Sequence, residues 1–199
     1  MAVRLYAVVT VAAITLMVFC GDSRAQSGRV RDDLPPPSIA TLPSHPFVSP
    51  EGKFSISLPD VVRDRHPIKI EGAGETITGE TVEWDTAEGR FTISYMDLPV
   101  LLSGSAGART GLDRYREQTL KQIAVSKGKI ISDRDIVLSG TAGAEIKAEM
   151  SGLYYTFRGC VTARRLYQLM VVTPKSVDLP ATDRVMESFR LLDNDGPSH

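Results

Sequence analysis

Few residues of this 199-residue chain have side chains suited to catalysis, and their positions limit what they can do. The chain has three histidines and two cysteines. His45 lies in a proline-rich linker and His199 is the last residue, so His66 is the one histidine expected inside a domain. A Cys160–His66 pair would supply a thiolate and its base, but it also needs a third, orienting group that the sequence does not mark. We therefore expect Cys160 to be a small, partly buried thiol in a strand.

Three further motifs resemble known chemical sites but lack essential parts. Gly104–Gly107 is one residue short of a nucleophile elbow and is expected to be a flexible loop. Glu71–Glu75 is rich in glycine but lacks the lysine and the following helix of a phosphate loop, and we expect a turn. Asp193–Gly196 begins like a calcium loop, yet its glycine comes too early and no glutamate follows. The sequence therefore predicts no enzyme, no cofactor and no metal site.

Two candidate binding surfaces lie on predicted strands. Glu145 and Glu149 could hold a cation between them, but Lys147 stands in the middle, and we expect all three side chains to point to water. Most aromatic side chains of the strands are expected in the core. Tyr154 is the expected exception, because Arg158 follows it on the same face of the strand. Tyr154 and Arg158 are thus the predicted partner-binding residues.

The first 25 residues have the three parts of a secretory signal peptide. Arg4 precedes a long uncharged apolar stretch, and small side chains lead up to Ala25, after which cleavage would leave Gln26 first. Two alternatives stay open. The stretch could be retained as an anchor, although it is at the short limit of the about 20 apolar residues that a membrane span needs. A lipid on Cys20 would require a small residue where Phe19 stands. We expect a periplasmic or secreted protein.

Composition divides the chain into four segments. They are the signal peptide 1–25, a proline-rich linker 26–46, a single domain 47–192 and a flexible tail 193–199. The full chain has a net charge of −1, and loss of two basic residues and one acidic residue with the signal peptide leaves −2. This near-neutral charge gives no electrostatic case for nucleic-acid binding. Cys160 would remain without a second cysteine, which excludes a disulfide scaffold.

Hydrophobic periodicity predicts the elements that position these residues. Alternation of apolar and polar residues predicts strands over 54–58, 76–84 and 90–96 and three or four more between 130 and 172. Helical spacing predicts a helix capped by Thr110 and closed by Lys127–Gly128, and a second helix over about 181–189. Short connections indicate an antiparallel sheet with the helices on opposite faces. We therefore predict an α+β fold, a three-layer α/β/α sandwich around a mainly antiparallel sheet.

Signatures of strand and helix packing occur in four short segments, Glu51–Pro59, Ala142–Glu145, Arg165–Leu169 and Glu187–Leu191. Together they resemble the PsbP-like family, which is named for an extrinsic subunit of photosystem II. The resemblance covers nearly the whole predicted domain and implies an antiparallel sheet between helices. Proteins of this fold serve as non-catalytic subunits or bind other proteins, including one that binds a small GTPase, and none of their contact residues is matched here. Fold similarity alone says little about function.

We therefore expect a non-enzymatic exported protein that binds another protein or serves as an accessory subunit of an envelope assembly. A small-molecule or lipid carrier is the alternative from a different class. It would need a cavity between sheet and helix, lined by residues such as Tyr115, Leu120 and Tyr167. A hydrolase or redox enzyme is the third possibility, and the chain lacks the usual acid–base residues for it.

Overall fold

The described elements are ten strands and two helices. The computed structural model describes residues 44–59, 64–72, 75–98, 104–174, 176 and 180–192. In chain order the elements are β1 (Ser44–Ser49), β2 (Phe54–Pro59), β3 (Asp64–Gly72), β4 (Glu75–Asp85), β5 (Arg90–Asp97), α1 (Gly104–Val125), β6 (Lys129–Leu138), β7 (Thr141–Met150), β8 (Leu153–Val161), β9 (Arg165–Thr173), α2 (Pro180–Glu187) and β10 (Arg190–Leu191).

Seven strands form the main sheet, in the order β3-β4-β5-β9-β8-β7-β6. Every pairing in it is antiparallel. Strands β3 to β5 form one meander and β6 to β9 form a second. The two meanders join where β5 pairs with β9, with Ile93 opposite Leu169. The predicted antiparallel sheet with two helices is therefore confirmed.

Two tight turns fix the register of the second meander. Ser139 and Gly140 have φ values of 50° and 78°, and Ser151 and Gly152 have φ values of 53° and 76°. Positive φ at both central residues is the requirement of a type I′ hairpin turn, whose twist matches that of the flanking strands. The short connections seen in the sequence are thus two-residue turns between β6 and β7 and between β7 and β8.

Helix α1 packs on one face of the main sheet, over β6, β7 and β8. Ile123 is fully buried in one cluster with Ile146, Phe157 and Met170. A Cβ at Gly159 would lie 2.2 Å from the ring of Tyr115, so the helix approaches the sheet closely because residue 159 has no side chain.

The ends of α1 differ from the prediction at one terminus only. The helix begins at Gly104, so the expectation of a loop over Gly104–Gly107 is wrong. Thr110 is not the cap, because its hydroxyl donates to the carbonyl of Ala106 inside the helix. The C-terminal end agrees with the prediction. There the amide of Gly128 bonds the carbonyl of Ile123, and Lys127 takes a φ of 53°, as in a Schellman motif.

A small three-stranded sheet and α2 share a hydrophobic cluster with strands of the main sheet. The small sheet has the order β1-β2-β10. Phe54 of β2 is fully buried, and its ring centroid lies 5.7 Å from that of Phe189 and 6.4 Å from that of Tyr167. The hydroxyl of Tyr167 donates to the carbonyl of Gly52, and Arg165 donates to the carbonyl of Glu51. Three of the segments that resemble the PsbP-like family, Glu51–Pro59, Arg165–Leu169 and Glu187–Leu191, therefore contact one another where the small sheet packs on the main sheet.

The observed elements differ from the predicted ones at two boundaries and by strands that were not predicted. The strands predicted over 54–58, 76–84 and 90–96 are present as β2, β4 and β5. Strand β1 begins at Ser44, so the predicted boundary between linker and domain falls inside a strand. Strand β3 was not predicted, because Pro67 and charged neighbours interrupt its alternation. The chain leaves α2 at Glu187 and adds the short strand β10. The predicted signal peptide and tail lie outside the described residues.

Candidate functional site

The predicted partner-binding residues lie on one face of β8 but differ in exposure. Tyr154 is half-buried and stands between Glu149 of β7 and Thr173 of β9 in register. Arg158 is only 6% exposed. The expectation that Arg158 extends an uncovered face is wrong, because this end of the face carries a buried ion-pair network.

This network joins β6, β7, β8 and α2 through four charged side chains. Arg158 Nε donates to Glu145 Oε2 at 2.7 Å, and Arg158 Nη2 donates to Asp183 Oδ1 at 3.2 Å. Arg134 of β6 binds the other carboxylate oxygen, with Nη2 2.7 Å from Glu145 Oε1. Both oxygens of Glu145 therefore accept hydrogen bonds from guanidinium groups, which stabilise it as a carboxylate.

The environment of Glu145 corrects a second expectation. Glu145 is fully buried and does not point to water, while Lys147 and Glu149 are half-buried. Burial raises the pKa of the Glu145 carboxyl. The hydrogen bond and charge of Arg158, joined by those of Arg134, outweigh burial and lower its pKa below the ordinary value. The carboxylate thus stays charged inside the protein and serves to fix the strands and α2.

The candidate nucleophile and base are not brought together. Cys160 is fully buried on β8, and burial raises the pKa of its thiol to about 12. His66 is exposed on the edge strand β3. Three strands lie between β3 and β8, so the two residues are about four strand spacings, or about 19 Å, apart. The prediction that Cys160 lies in a strand is confirmed, but its thiol is fully buried and not partly buried as expected.

The residues proposed to line a carrier cavity lie on opposite faces of the main sheet. Tyr115 and Leu120 belong to α1 and pack on its side of the sheet. Tyr167 packs on the other side, against Phe54 and Phe189. These three side chains cannot line one cavity, and that part of the carrier hypothesis is wrong.

An exposed apolar surface that the sequence analysis missed lies at one end of the main sheet. We name it the apolar end, and it consists of Val125, Ile130 and Leu153, which are 67%, 47% and 36% exposed. Val125 is the last residue of α1, Ile130 is the second residue of β6, and Leu153 is the first residue of β8. Ile130 pairs with Ala148, and Leu153 with Met150, both on the α1 side of the sheet. The sequence signal for it was the apolar pair Ile130–Ile131, which follows the polar turn after the helix.

Basic side chains border the apolar end. Lys121 lies one helical turn before Val125, and Lys127 and Lys129 flank the helix end and the start of β6; all three lysines are exposed. The arrangement can bind an apolar surface that carries acidic groups around it. Within the described ranges, no group of three or more histidine, cysteine or acidic residues is placed to hold a metal ion. None of the helices in these ranges is long and apolar enough to span a membrane.

Comparisons with known proteins return structural similarity only. No protein-family model and no curated protein matches the chain. A crystal structure from Bacteroides thetaiotaomicron aligns at 18% identity over 76% of this chain and 49% of that chain, with a TM-score of 0.44. This chain therefore spans about half of the Bacteroides protein.

Two further solved structures are similar in most of their length. The solution structure of cyanobacterial PsbP from Synechocystis aligns at 10% identity over 85% of this chain and 99% of that chain, with a TM-score of 0.46. A protein of unknown function from Pseudomonas aeruginosa aligns at 14% identity over 73% of this chain and 94% of that chain, with a TM-score of 0.36. A PsbP protein is thus among the solved structures to which this chain is similar.

Proposed function

We propose that this chain is an exported, non-enzymatic accessory protein that binds another protein through its apolar end. The exposure of Val125, Ile130 and Leu153 on one side of one sheet end is the observation that carries the proposal. Large apolar side chains that cluster on a protein surface mark interaction sites more often than isolated ones do. We also propose the three-layer arrangement, with α1 on one face of the main sheet and β2 with α2 on the other.

The chemistry of the expected partner follows from the border of this surface. Exposed Lys121, Lys127 and Lys129 favour a partner with acidic side chains around an apolar centre. Tyr154, next to Leu153 in β8, extends the surface around the end of the sheet and remains a predicted contact. A protein partner is favoured over a lipid surface because the three central side chains are aliphatic. Membrane interfaces select for tryptophan and tyrosine.

One substitution and one matched control test the surface. Val125→Asp places a charge in the apolar end. Val137→Asp introduces the same charge near the opposite end of β6, at a position where the valine side chain is 75% exposed. Each variant is cross-linked chemically to the envelope fraction of its host. The specific adduct formed by the wild-type protein should be lost with Val125→Asp and kept with Val137→Asp. Equal adducts with both variants would refute the proposed surface.

Two further measurements separate the alternatives. Sedimentation velocity of the purified protein shows whether the bound partner is a second copy. The protein should not co-sediment with vesicles that contain anionic lipid. Vesicle binding that Val125→Asp abolishes would show that the apolar end binds a lipid surface and not a protein.

Export is proposed from the signal-peptide pattern of residues 1–25. The intact mass of the protein purified from its host should correspond to a chain that begins at Gln26. An uncleaved chain, or a lipid on Cys20, would instead make it a membrane-tethered protein.

A further inference from the structure

Strand β6 forms one edge of the main sheet, and its outer side has no neighbour among the described strands. Most of its ten residues are exposed. The strand at the opposite edge, β3, contains Pro67, and proline lacks the N–H that pairing with a further strand requires. Strand β6 contains no proline, and its β-bulge lies near one end, between Ile130 and Ser132. The stretch from Ser132 to Leu138 is therefore a regular, open edge.

The type I′ turn between β6 and β7 determines which backbone groups of β6 point outward. In such a two-residue hairpin the flanking residues, Leu138 and Thr141, exchange backbone hydrogen bonds. Pairs with and without these bonds alternate along an antiparallel ladder. The N–H and C=O groups of Val137, Asp135 and Asp133 therefore point away from β7. They offer donors and acceptors to a further strand over a length of about 14 Å.

The charged side chains of β6 leave this backbone edge open. Arg116 Nε of α1 lies 3.1 Å from Asp133 Oδ1, and Arg116 Nη2 lies 2.6 Å from Asp135 Oδ1. Both carboxylates are thereby held on the α1 side of the sheet, while Arg134 binds the buried carboxylate of β7 on the other side. Two carboxylates share one guanidinium, which leaves one negative charge in this group. Val137 follows on the same side as the carboxylates and is 75% exposed.

The same charges disfavour a second copy of this chain as the added strand. Antiparallel pairing of two β6 strands about a two-fold axis places a residue opposite its own copy. An axis at Arg134 would oppose two arginines and would bring Asp133 against Asp135. An axis at either aspartate would oppose two carboxylates. Because like charges directly opposite each other destabilise a strand pair, a strand of different sequence fits this edge better.

We infer that β6 binds an extended segment of a partner protein as an added antiparallel strand. On the α1 side, this segment carries basic side chains opposite Asp133 and Asp135 and an apolar side chain opposite Val137. In strand addition the main-chain hydrogen bonds give affinity, and the alternate side chains give specificity. The inference deepens the proposed function and rests on it, because Ile130 of the apolar end belongs to the same strand.

A defined peptide tests the edge without the natural partner. The probe has seven residues, with valine first, lysine third and fifth, and threonine elsewhere. In ¹⁵N-labelled full-length protein, the backbone amides of Asp133, Asp135 and Val137 should shift downfield as the probe is added. The amides of Arg134 and Ile136, which bond β7, should shift less. A peptide with glutamate in place of lysine should bind about tenfold more weakly, because two pairs of opposite charges become pairs of like charges.

Removal of single backbone donors distinguishes strand addition from contact through side chains alone. Val137→Pro removes an outward N–H that β7 does not use, and it should weaken the probe about tenfold, the loss expected for one hydrogen bond. Val137→Ala keeps the N–H and is the matched control, which should retain most of the affinity. Methylation of the backbone amides of the probe tests the wild-type protein in the same way and should abolish the shifts. Equal binding of the methylated and unmethylated probes, or no shift with any probe, would overturn the added strand.

Failure of the added strand is distinguishable from failure of the apolar end. Val125→Asp lies outside the paired stretch, so it should lose the cross-linked adduct and still bind the peptide. Loss of that adduct without any amide shift in β6 would overturn the added strand and keep the apolar end. Amide shifts in β6 together with an adduct that Val125→Asp retains would overturn the apolar end and support the added strand. Shifts of the same amides on raising the protein concentration alone would identify a second copy as the occupant and overturn the inference.

Discussion

Removal of the Glu145 carboxylate is the sharpest test of what holds the edge of the main sheet to α2. Glu145→Ala leaves the guanidinium of Arg158, 6% exposed, with Asp183 at 3.2 Å as its remaining carboxylate. Removal of one partner from a buried ion pair costs about 3–5 kcal/mol when the other charge loses its compensation, and Asp183, with its side chain 35% exposed, compensates Arg158 only in part. We expect Glu145→Ala to lower the free energy of unfolding by that amount.

Arg134, the second partner of Glu145, provides the control for the effect of burial. Arg134 binds the other oxygen of Glu145 at 2.7 Å, but its side chain is 60% exposed to water. Arg134→Ala should therefore cost no more than about 1 kcal/mol, the usual value of an exposed pair. The double replacement Glu145→Leu with Arg158→Met removes both buried charges and should cost less than Glu145→Ala alone.

Urea unfolding of these variants, followed by circular dichroism, measures the differences at constant m-value. Equal costs for Arg134→Ala and Arg158→Ala would refute the assignment of the stabilisation to burial. A double replacement as costly as the sum of its single changes would refute the coupling between the two charges.

Acid unfolding gives an independent measure of the same pair. The pKa of Glu145 is lowered in the folded protein, so the unfolded chain binds the proton more readily. The stability that Glu145 contributes is complete above its ordinary pKa and is lost as the pH falls through the lowered value. The unfolding free energy of Glu145→Ala should therefore depend less steeply on pH in that acidic range than that of the wild type.

Three further predictions concern turns, packing and the thiol. Ser151→Asn should raise the free energy of unfolding by roughly 0.5 kcal/mol, because asparagine suits a positive φ better than serine does. Ser139→Asn should gain less by the same urea assay, since the Ser139 hydroxyl also accepts the Leu191 amide. Gly159→Ala should lower the melting temperature, because its Cβ would meet the Tyr115 ring at 2.2 Å. Cys160 should react with a thiol reagent at neutral pH only after denaturation; fast labelling of the folded protein would contradict its burial.

Alternation of residue types found strands only where one face is apolar. Strand β2 alternates cleanly because Phe54 and Ile56 face the core and Ser55 and Ser57 do not. Strand β3 lies at the edge of the sheet and alternates only over 68–71, where Ile68 and Ile70 are partly buried. Periodicity therefore detects packing and is insensitive to edge strands.

Burial of charge could not be read from the sequence. Glu145 and Arg158 alternate with apolar residues as exposed strand residues do, and their pairing spans 13 positions of the chain. The same limit applies to Gln168, which is buried on a face where a polar residue normally meets water. A single sequence gives the alternation of a strand, but the partner across the sheet depends on register and on the layer above it.

The small sheet has a consequence for the order in which this protein can be made. Strand β2 pairs on one side with β1, the first described strand, and on the other with β10, the last. Phe189, directly before β10, is fully buried against Phe54. A nascent chain emerges from its N-terminus, so this part of the core stays open until residues near 190 have been synthesised. The small sheet therefore cannot close when β1 and β2 emerge, because its third strand follows more than 120 residues later.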